Sequence, residues 1–158
     1  MPHFSPKQLV SHWVELFNKA DAVGLAELYH NDAVNHQVAN EPVEGKENIR
    51  NMFQREFAAA EMVCIVENLF EDGEWAMLEW KDPLGLRGCG FFHVVDGKIK
   101  FQRGYWDKIS FLRQQGQPIP EKMYQRLSPE SSLPVIIDVQ EPHERFSSNA
   151  LMTNHTEE

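Results

Sequence analysis

The dipeptide Asp96-Gly97, set between two alternating apolar runs in GFFHVVDGKIKFQRGYWD, constrains the fold of this chain more than any other feature. A type I′ turn needs positive φ at both central residues, which aspartate and above all glycine tolerate, so the stretch reads as a tight antiparallel hairpin. A two-residue loop sets Val95 opposite Lys98. Uninterrupted pairing then puts Val94 by Ile99, Phe92 by Phe101, Gly90 by Arg103 and Gly88 by Tyr105, with Asp107 at the far end of the same face. The other face carries His93, Phe91 and Cys89 against Lys100, Gln102 and Gly104, then Trp106. The first face is apolar near the turn and becomes polar where Arg103 and Tyr105 stand over two glycines. Glycine within a strand often marks the close approach of another group, so this end of the hairpin is expected to border a hollow. The plain alternative is that Arg103, Tyr105 and Asp107 point into solvent where the sheet frays, or form a structural ion pair.

Upstream, the apolar spacing is helical. Leu9, Val10, Trp13, Val14, Leu16 and Phe17 share one face of a helix over 5–19, opened by Ser5 and Pro6. A shorter helix over 21–30 starts at Asp21, and a third over 46–60 carries Ile49, Met52, Phe53 and Phe57 on one stripe. Between them 30–38 reads as extended and 41–47 as a loop. From residue 62 the period becomes that of strands: 62–70, 75–82, 86–95 and 98–107, with one or two helical turns over 108–115. Helices first and an antiparallel meander after them give an α+β fold, with a curved sheet wrapped over three helices around a pocket. That domain is expected to span 1–115. Residues 116–158 form a proline-rich, largely irregular extension, in which PVIIDV (134–139) reads as an edge strand or a cover for an apolar surface.

A net charge of −9 argues against nucleic acid and anionic membrane as partners. No apolar run is long enough to cross a bilayer, and the first residues do not resemble a signal peptide. Cys64 and Cys89 are the two cysteines, far apart and expected to be free, in keeping with a cytoplasmic location. No metal-ligand spacing, phosphate loop or dinucleotide fingerprint is present, so neither a metal nor a cofactor is expected.

The stretch GFFHVVDGKIKFQRGYWDKISF (90–111) resembles the last hairpin of the nuclear transport factor 2-like superfamily, in particular its SnoaL-like and limonene-epoxide-hydrolase-like branches. The pattern is Gly90, Phe92, Asp96, Gly97, Lys98, Ile99, Arg103, Tyr105, Trp106 and Asp107, and it continues upstream through ELFNKADAVGLAELYHNDAV (15–34) and EGKENIRNMF (44–53). The resemblance implies a cone-shaped domain with a deep pocket. It matches Asp107 and Asp82 to the two catalytic aspartates of the epoxide hydrolase branch. It fails at Trp80, where that branch has arginine, and at Asn35 and Gln37, where it has tyrosine and asparagine; this points away from epoxide hydrolysis itself.

The function expected is cofactor-independent acid/base chemistry on a small, mostly apolar molecule, of hydrolase, isomerase or cyclase type. Asp107 would be the principal acid or base, Arg103 and Tyr105 would orient or polarise, and Asp82 or His36 would be the second group. Trp13, Tyr29, Phe53, Trp80 and Phe92 would form core or pocket wall, Asn35 and Gln37 would hydrogen-bond a water, and Gly88 and Gly90 would leave room. A non-catalytic ligand-binding protein of the same fold, or a protein-interaction module, are the competing readings. Phe91, Cys89, Trp106 and His93 on the outer sheet face would be covered by a homodimer or by the extension.

Overall fold

The structure, a computed structural model, describes residues 4–124. The chain divides into two compact units, Met1–Ile119 and Pro120–Glu158. Of the second, only a one-turn helix, Glu121–Tyr124, is described; the segment 134–139 lies outside the described residues. The first unit is α+β. Its elements are α1 (Pro6–Asn18), α2 (Ala22–Glu27), β1 (Tyr29–Gln37), β2 (Val43–Glu44), α3 (Lys46–Ala59), β3 (Ile65–Asp72), β4 (Trp75–Lys81), β5 (Arg87–Val95), β6 (Lys98–Trp106) and α4 (Lys108–Gln114). The six strands form one open sheet in the order β2-β1-β6-β5-β4-β3, antiparallel except for the β1–β6 pair.

Local chemistry sets these boundaries. Ser5 closes a capping box with Gln8 at the start of α1, and Pro6 takes the first helical turn, where its missing N–H costs nothing. Asp21 caps α2 by accepting the Gly24 N–H at 2.8 Å. At the β5–β6 turn Asp96 and Gly97 have φ of 51° and 76°, as a type I′ turn requires. The inner sheet face, through Tyr29, Ala33, Leu78, Phe92, Val94 and Ile99, packs on Leu9, Trp13, Leu25, Ile49 and Phe53 of the helices. Trp13, Phe53 and Phe92 belong to the buried core, and Tyr29 is fully buried. Trp13 stacks on Phe17 at 5.0 Å and meets Phe92 edge-on at 5.4 Å, while Phe53 stacks on Phe57 at 5.7 Å. Aromatic rings thus fill the space under the sheet where a deep hollow was expected.

The hairpin register departs from the simple alternation. Val94 faces Ile99, but His93 faces Phe101, so Lys100 is an extra residue in β6. Because side chains alternate with period two, one inserted residue turns every later side chain of β6 to the opposite face. Gln102, Gly104 and Trp106 therefore point inward, and Phe101, Arg103 and Tyr105 point outward. Gly90 pairs with Gly104 and Gly88 with Trp106. The glycines have their own physical reasons. A Cβ at Gly88 would overlap the Trp80 ring and stand 2.8 Å from the Tyr105 carbonyl. A Cβ at Gly104 would overlap the Gln37 amide. Gly90 lies against Phe92 and the Arg103 backbone, so neither Gly88 nor Gly90 opens onto a hollow.

Candidate functional site

The five side chains expected to carry chemistry do not converge on one site. Arg103 and His36 meet on the outer face, where Arg103 Nε donates to His36 Nδ1 at 3.3 Å and the guanidinium covers the Phe101 ring at 4.8 Å. Tyr105 is exposed beside Phe91 on that same face. Asp82 organises the β4–β5 turn by accepting the N–H groups of Leu84 at 2.9 Å and Leu86 at 2.8 Å. Asp107 is exposed and caps α4, accepting from the backbone of Ile109 and Ser110 and from the Ser110 hydroxyl. The hydroxyl bond, aided by the two backbone N–H groups, holds its carboxyl below the usual aspartate range. Its geometry is that of a helix cap, because the bulge and the end of β6 turn it away from the inner face.

Asparagine caps as well as aspartate does. Asp107→Asn is therefore expected to leave thermal stability within a degree or two of wild type, and Asp107→Ala to cost about 1 kcal/mol in urea unfolding. Equal losses in both variants would contradict the capping role.

A different set of polar groups faces inward. Among the described residues, the buried polar side chains are Asn35, 1% exposed, and Gln102, 4% exposed. They belong to a hydrogen-bonded chain that runs across β1 and β6. Trp13 Nε1 donates to the Tyr29 hydroxyl at 2.9 Å, and that hydroxyl donates to Gln102 Oε1. From the other end Trp106 Nε1 donates to Gln37 Oε1 at 2.9 Å, Gln37 Nε2 to Asn35 Oδ1 at 2.8 Å, and Asn35 Nδ2 to Gln102 Oε1 at 3.1 Å. An indole N–H can only donate. The two tryptophans at the ends therefore fix the direction of every bond between them, and both lone pairs of Gln102 Oε1 are used. Burial pushes the Tyr29 phenol above its ordinary value, so it stays protonated as a donor.

Two members of this chain, Asn35 and Gln37 of β1, line a cleft of about 220 Å³ together with Asn40 and Glu41 of the following loop, Val43 of β2, and Met52, Arg55 and Glu56 of α3. Residues 52, 55 and 56 share one helical face. Glu56 is half-buried there, and its desolvation raises the carboxyl to about 7 against a smaller opposing pull from Arg55. Its charge also acts on Tyr29, which puts the carboxyl within electrostatic reach of the buried chain. Asn35 and Gln37 are thus the expected polar groups that the structure does bring to a cleft. Glu56 lines the cleft as well, and Gln102 and Trp106 hold the two amides by hydrogen bonds without lining it. Glu56 had left a sign in the sequence: positions 49, 52, 53, 56 and 57 make one stripe, and a carboxylate fills the fourth. Among the described residues no three His, Cys, Asp or Glu side chains gather as a metal would need, and no helix is long and apolar enough to cross a membrane.

Residues 10–102 match the family model described as a SnoaL-like domain. Solved structures agree on the fold. An NTF2-like protein of unknown function from Cytophaga hutchinsonii superposes with a TM-score of 0.61 at 16% identity, covering 70% of this chain and 97% of that one. The epoxide hydrolase/cyclase-like enzyme SalBIII, which has a role in pyran ring formation in the polyether salinomycin, gives 0.59 at 19% identity, covering 66% and 92%. A hypothetical protein from Catenulispora acidiphila with a ketosteroid isomerase-like fold, solved with trimethylamine, gives 0.64 at 17% identity, covering 73% and 96%. No curated protein sequence matches the chain.

Proposed function

The chain belongs to the SnoaL-like domain family of the NTF2-like superfamily, and on that footing we propose that it performs cofactor-independent acid/base chemistry on a small, mostly apolar molecule bound in the Asn35–Gln37–Glu56 cleft. The observation that carries this reading is the placement of Glu56, a half-buried carboxyl on α3 that shares the cleft with the hydrogen-bonded amides of Asn35 and Gln37. A carboxyl raised to about 7 both takes and releases a proton at neutral pH, which is what a general acid or base must do. Val43 and Met52 supply apolar wall, and Asn35 and Gln37 supply orienting amides. Glu41, exposed on the loop, is a second carboxyl on the rim. A binding protein without turnover would use the same cleft and differ in having no use for the Glu56 proton. The cleft's volume falls below the ~300 Å³ at which ordinary ligand pockets begin, which limits either reading to a ligand of few heavy atoms.

Methionines report on the site. Met52 lines the cleft, Met62 lines a separate surface hollow near the end of α3, and Met77 stands on the outer sheet face. In a titration of the methyl-labelled protein with a mixture of small apolar fragments, the Met52 signal is expected to move while Met62 and Met77 stay fixed. Shifts at Met62 or Met77 alone would overturn the assignment of the cleft.

The outer sheet face supports a homodimer. Phe70, Trp75, Met77 and Tyr105 are between 41% and 58% exposed, and Phe91, Phe101 and Cys89 lie among them. Trp106 is not part of this face, because the bulge turns it inward to Gln37. Contiguous apolar surface across four strands is more than a monomer ordinarily leaves in water. Met77→Glu is expected to halve the mass seen by light scattering while leaving the fold intact. A mass unchanged from that of a dimeric wild type, or a wild type already monomeric, contradicts this interface.

A further inference from the structure

Lys108, the first residue of α4, reaches away from its own helix. A cation in the first helical turn gains nothing from the helix dipole. The Lys108 ammonium goes instead to the loop after β1, where Nζ donates to Asn40 Oδ1 at 2.7 Å and to the Ala39 carbonyl at 3.3 Å. Within that loop the Asn40 N–H donates to the Gln37 carbonyl at 2.8 Å. Among the described residues, the hydrogen bonds that tie residues 39–41 to another part of the fold are the two from Lys108. Asn40 and Glu41, which this short segment carries, line the cleft. Two residues before Lys108, Trp106 holds Gln37 and meets Phe111 of α4 edge-on at 5.5 Å. Asp107 stands between them and caps α4, so it sets where the turn that carries Lys108 begins. The junction of β6 and α4, beyond the residues 10–102 that match the family model, thus holds two members of the cleft lining without itself lining it.

Resting on the reading of this cleft as the functional site, we infer that Lys108 is a positioning residue: it pins the loop after β1 to the start of α4 and so keeps Asn40 and Glu41 in place as part of the cleft that holds Glu56. It acts through the loop and is not among the residues that line the cleft. A loop with few anchors opens locally at little cost, so one charge-assisted bond decides how long it stays in place. With the loop away, water reaches the Glu56 carboxyl.

Two readouts in labelled full-length protein test this: amide exchange at Asn40, and the midpoint of titration of the Glu56 carboxyl carbon. Lys108→Met keeps most of the stem and removes the donor. It is expected to speed Asn40 exchange about tenfold, the equivalent of one charge-assisted hydrogen bond. It should also lower the Glu56 midpoint from about 7 toward 4.5 as water enters. The direction is diagnostic, because loss of a nearby cation by itself raises a carboxyl. Lys108→Arg, whose forked donors can meet both oxygens, should keep both readouts at their wild-type values. Lys108 is half-buried, so both variants should melt close to wild type. If Lys108→Met loses the fold, Asn40→Ala removes the shorter bond from the other side; it is expected to lower the midpoint in the same way, and an unmoved midpoint there overturns the inference. Faster exchange in Lys108→Met with a midpoint unchanged or raised would make Lys108 the anchor of a surface loop and overturn its positioning role. Unchanged exchange and midpoint would overturn the anchor itself and leave the reading of the cleft standing. A wild-type midpoint already near 4.5 removes the reading and the inference together.

Discussion

Glu56→Gln should stabilise the protein above pH 7 and sharply reduce turnover at any pH. The two effects share one cause. An unfolded glutamate loses its proton near 4.5, whereas burial in the cleft raises the folded carboxyl to about 7. Between those values the folded state holds a proton that the unfolded state has lost, so stability falls as pH rises. The contribution is intact below about 4.5 and gone once the carboxyl has ionised above about 7. Such a shift amounts to roughly 3 kcal/mol of strain in the ionised protein. Glutamine keeps the shape and hydrogen-bonding reach without the charge. The melting temperatures of wild type and Glu56→Gln should therefore coincide near pH 4.5 and diverge toward pH 8, by some 5–10 °C for a chain of this size. Loss of a general acid or base lowers the rate by about 10²–10⁴-fold. Parallel melting profiles across this range would remove Glu56 from the centre of the site. A catalytic group that destabilises its own fold is a familiar exchange of stability for activity.

Gln102→Leu should produce the largest loss of stability. Its side-chain oxygen accepts from the Tyr29 hydroxyl and from Asn35 Nδ2, in a region where Asn35 and Tyr29 are 1% and 0% exposed. Leucine fills similar volume but leaves both donors without that acceptor. Each orphaned donor costs about 1–3 kcal/mol, so the expected loss in urea unfolding is about 2–5 kcal/mol. The slope of the transition should be unchanged, since the surface exposed on unfolding is the same. Because the Tyr29 hydroxyl is one of the two orphans, adding Tyr29→Phe should cost less in the Gln102→Leu background than in wild type, with a coupling of about 1 kcal/mol. A loss below about 1 kcal/mol for Gln102→Leu alone would mean that the buried chain is not a cooperative unit.

The parts of this fold that local chemistry dictates were legible in the sequence. Ser5-Pro6 opens a helix because a hydroxyl and a proline suit that position in any protein, and Asp96-Gly97 turns because few other residue pairs accept its dihedrals. The helical stripe of Leu9, Val10, Trp13 and Val14 and the α+β order are legible for the same reason. The candidate site was less so, and one residue explains most of the difference. Nothing about Lys100 announces a bulge: it is neither glycine nor an evident break in the alternation, and its insertion shows only in the pairing of β6 with β1 and β5. Past it the faces exchange. Arg103 and Tyr105 go outward, Gln102 and Trp106 come inward, and Asp107 is left to cap α4. Asn35 and Gln37 escaped that reversal because they lie on β1. Gly88 and Gly104 are small because a tryptophan ring and an amide lie on them, which a single sequence does not distinguish from room for a ligand.

The reading of this cleft depends on a Glu56 carboxyl that exchanges its proton at neutral pH because α3 holds it half out of water. The most direct measurement is a titration of that carboxyl followed by its own carbon resonance in labelled protein, assigned by its disappearance in Glu56→Gln. Its midpoint should fall near pH 7. A midpoint near the ordinary 4.5 would contradict the claim.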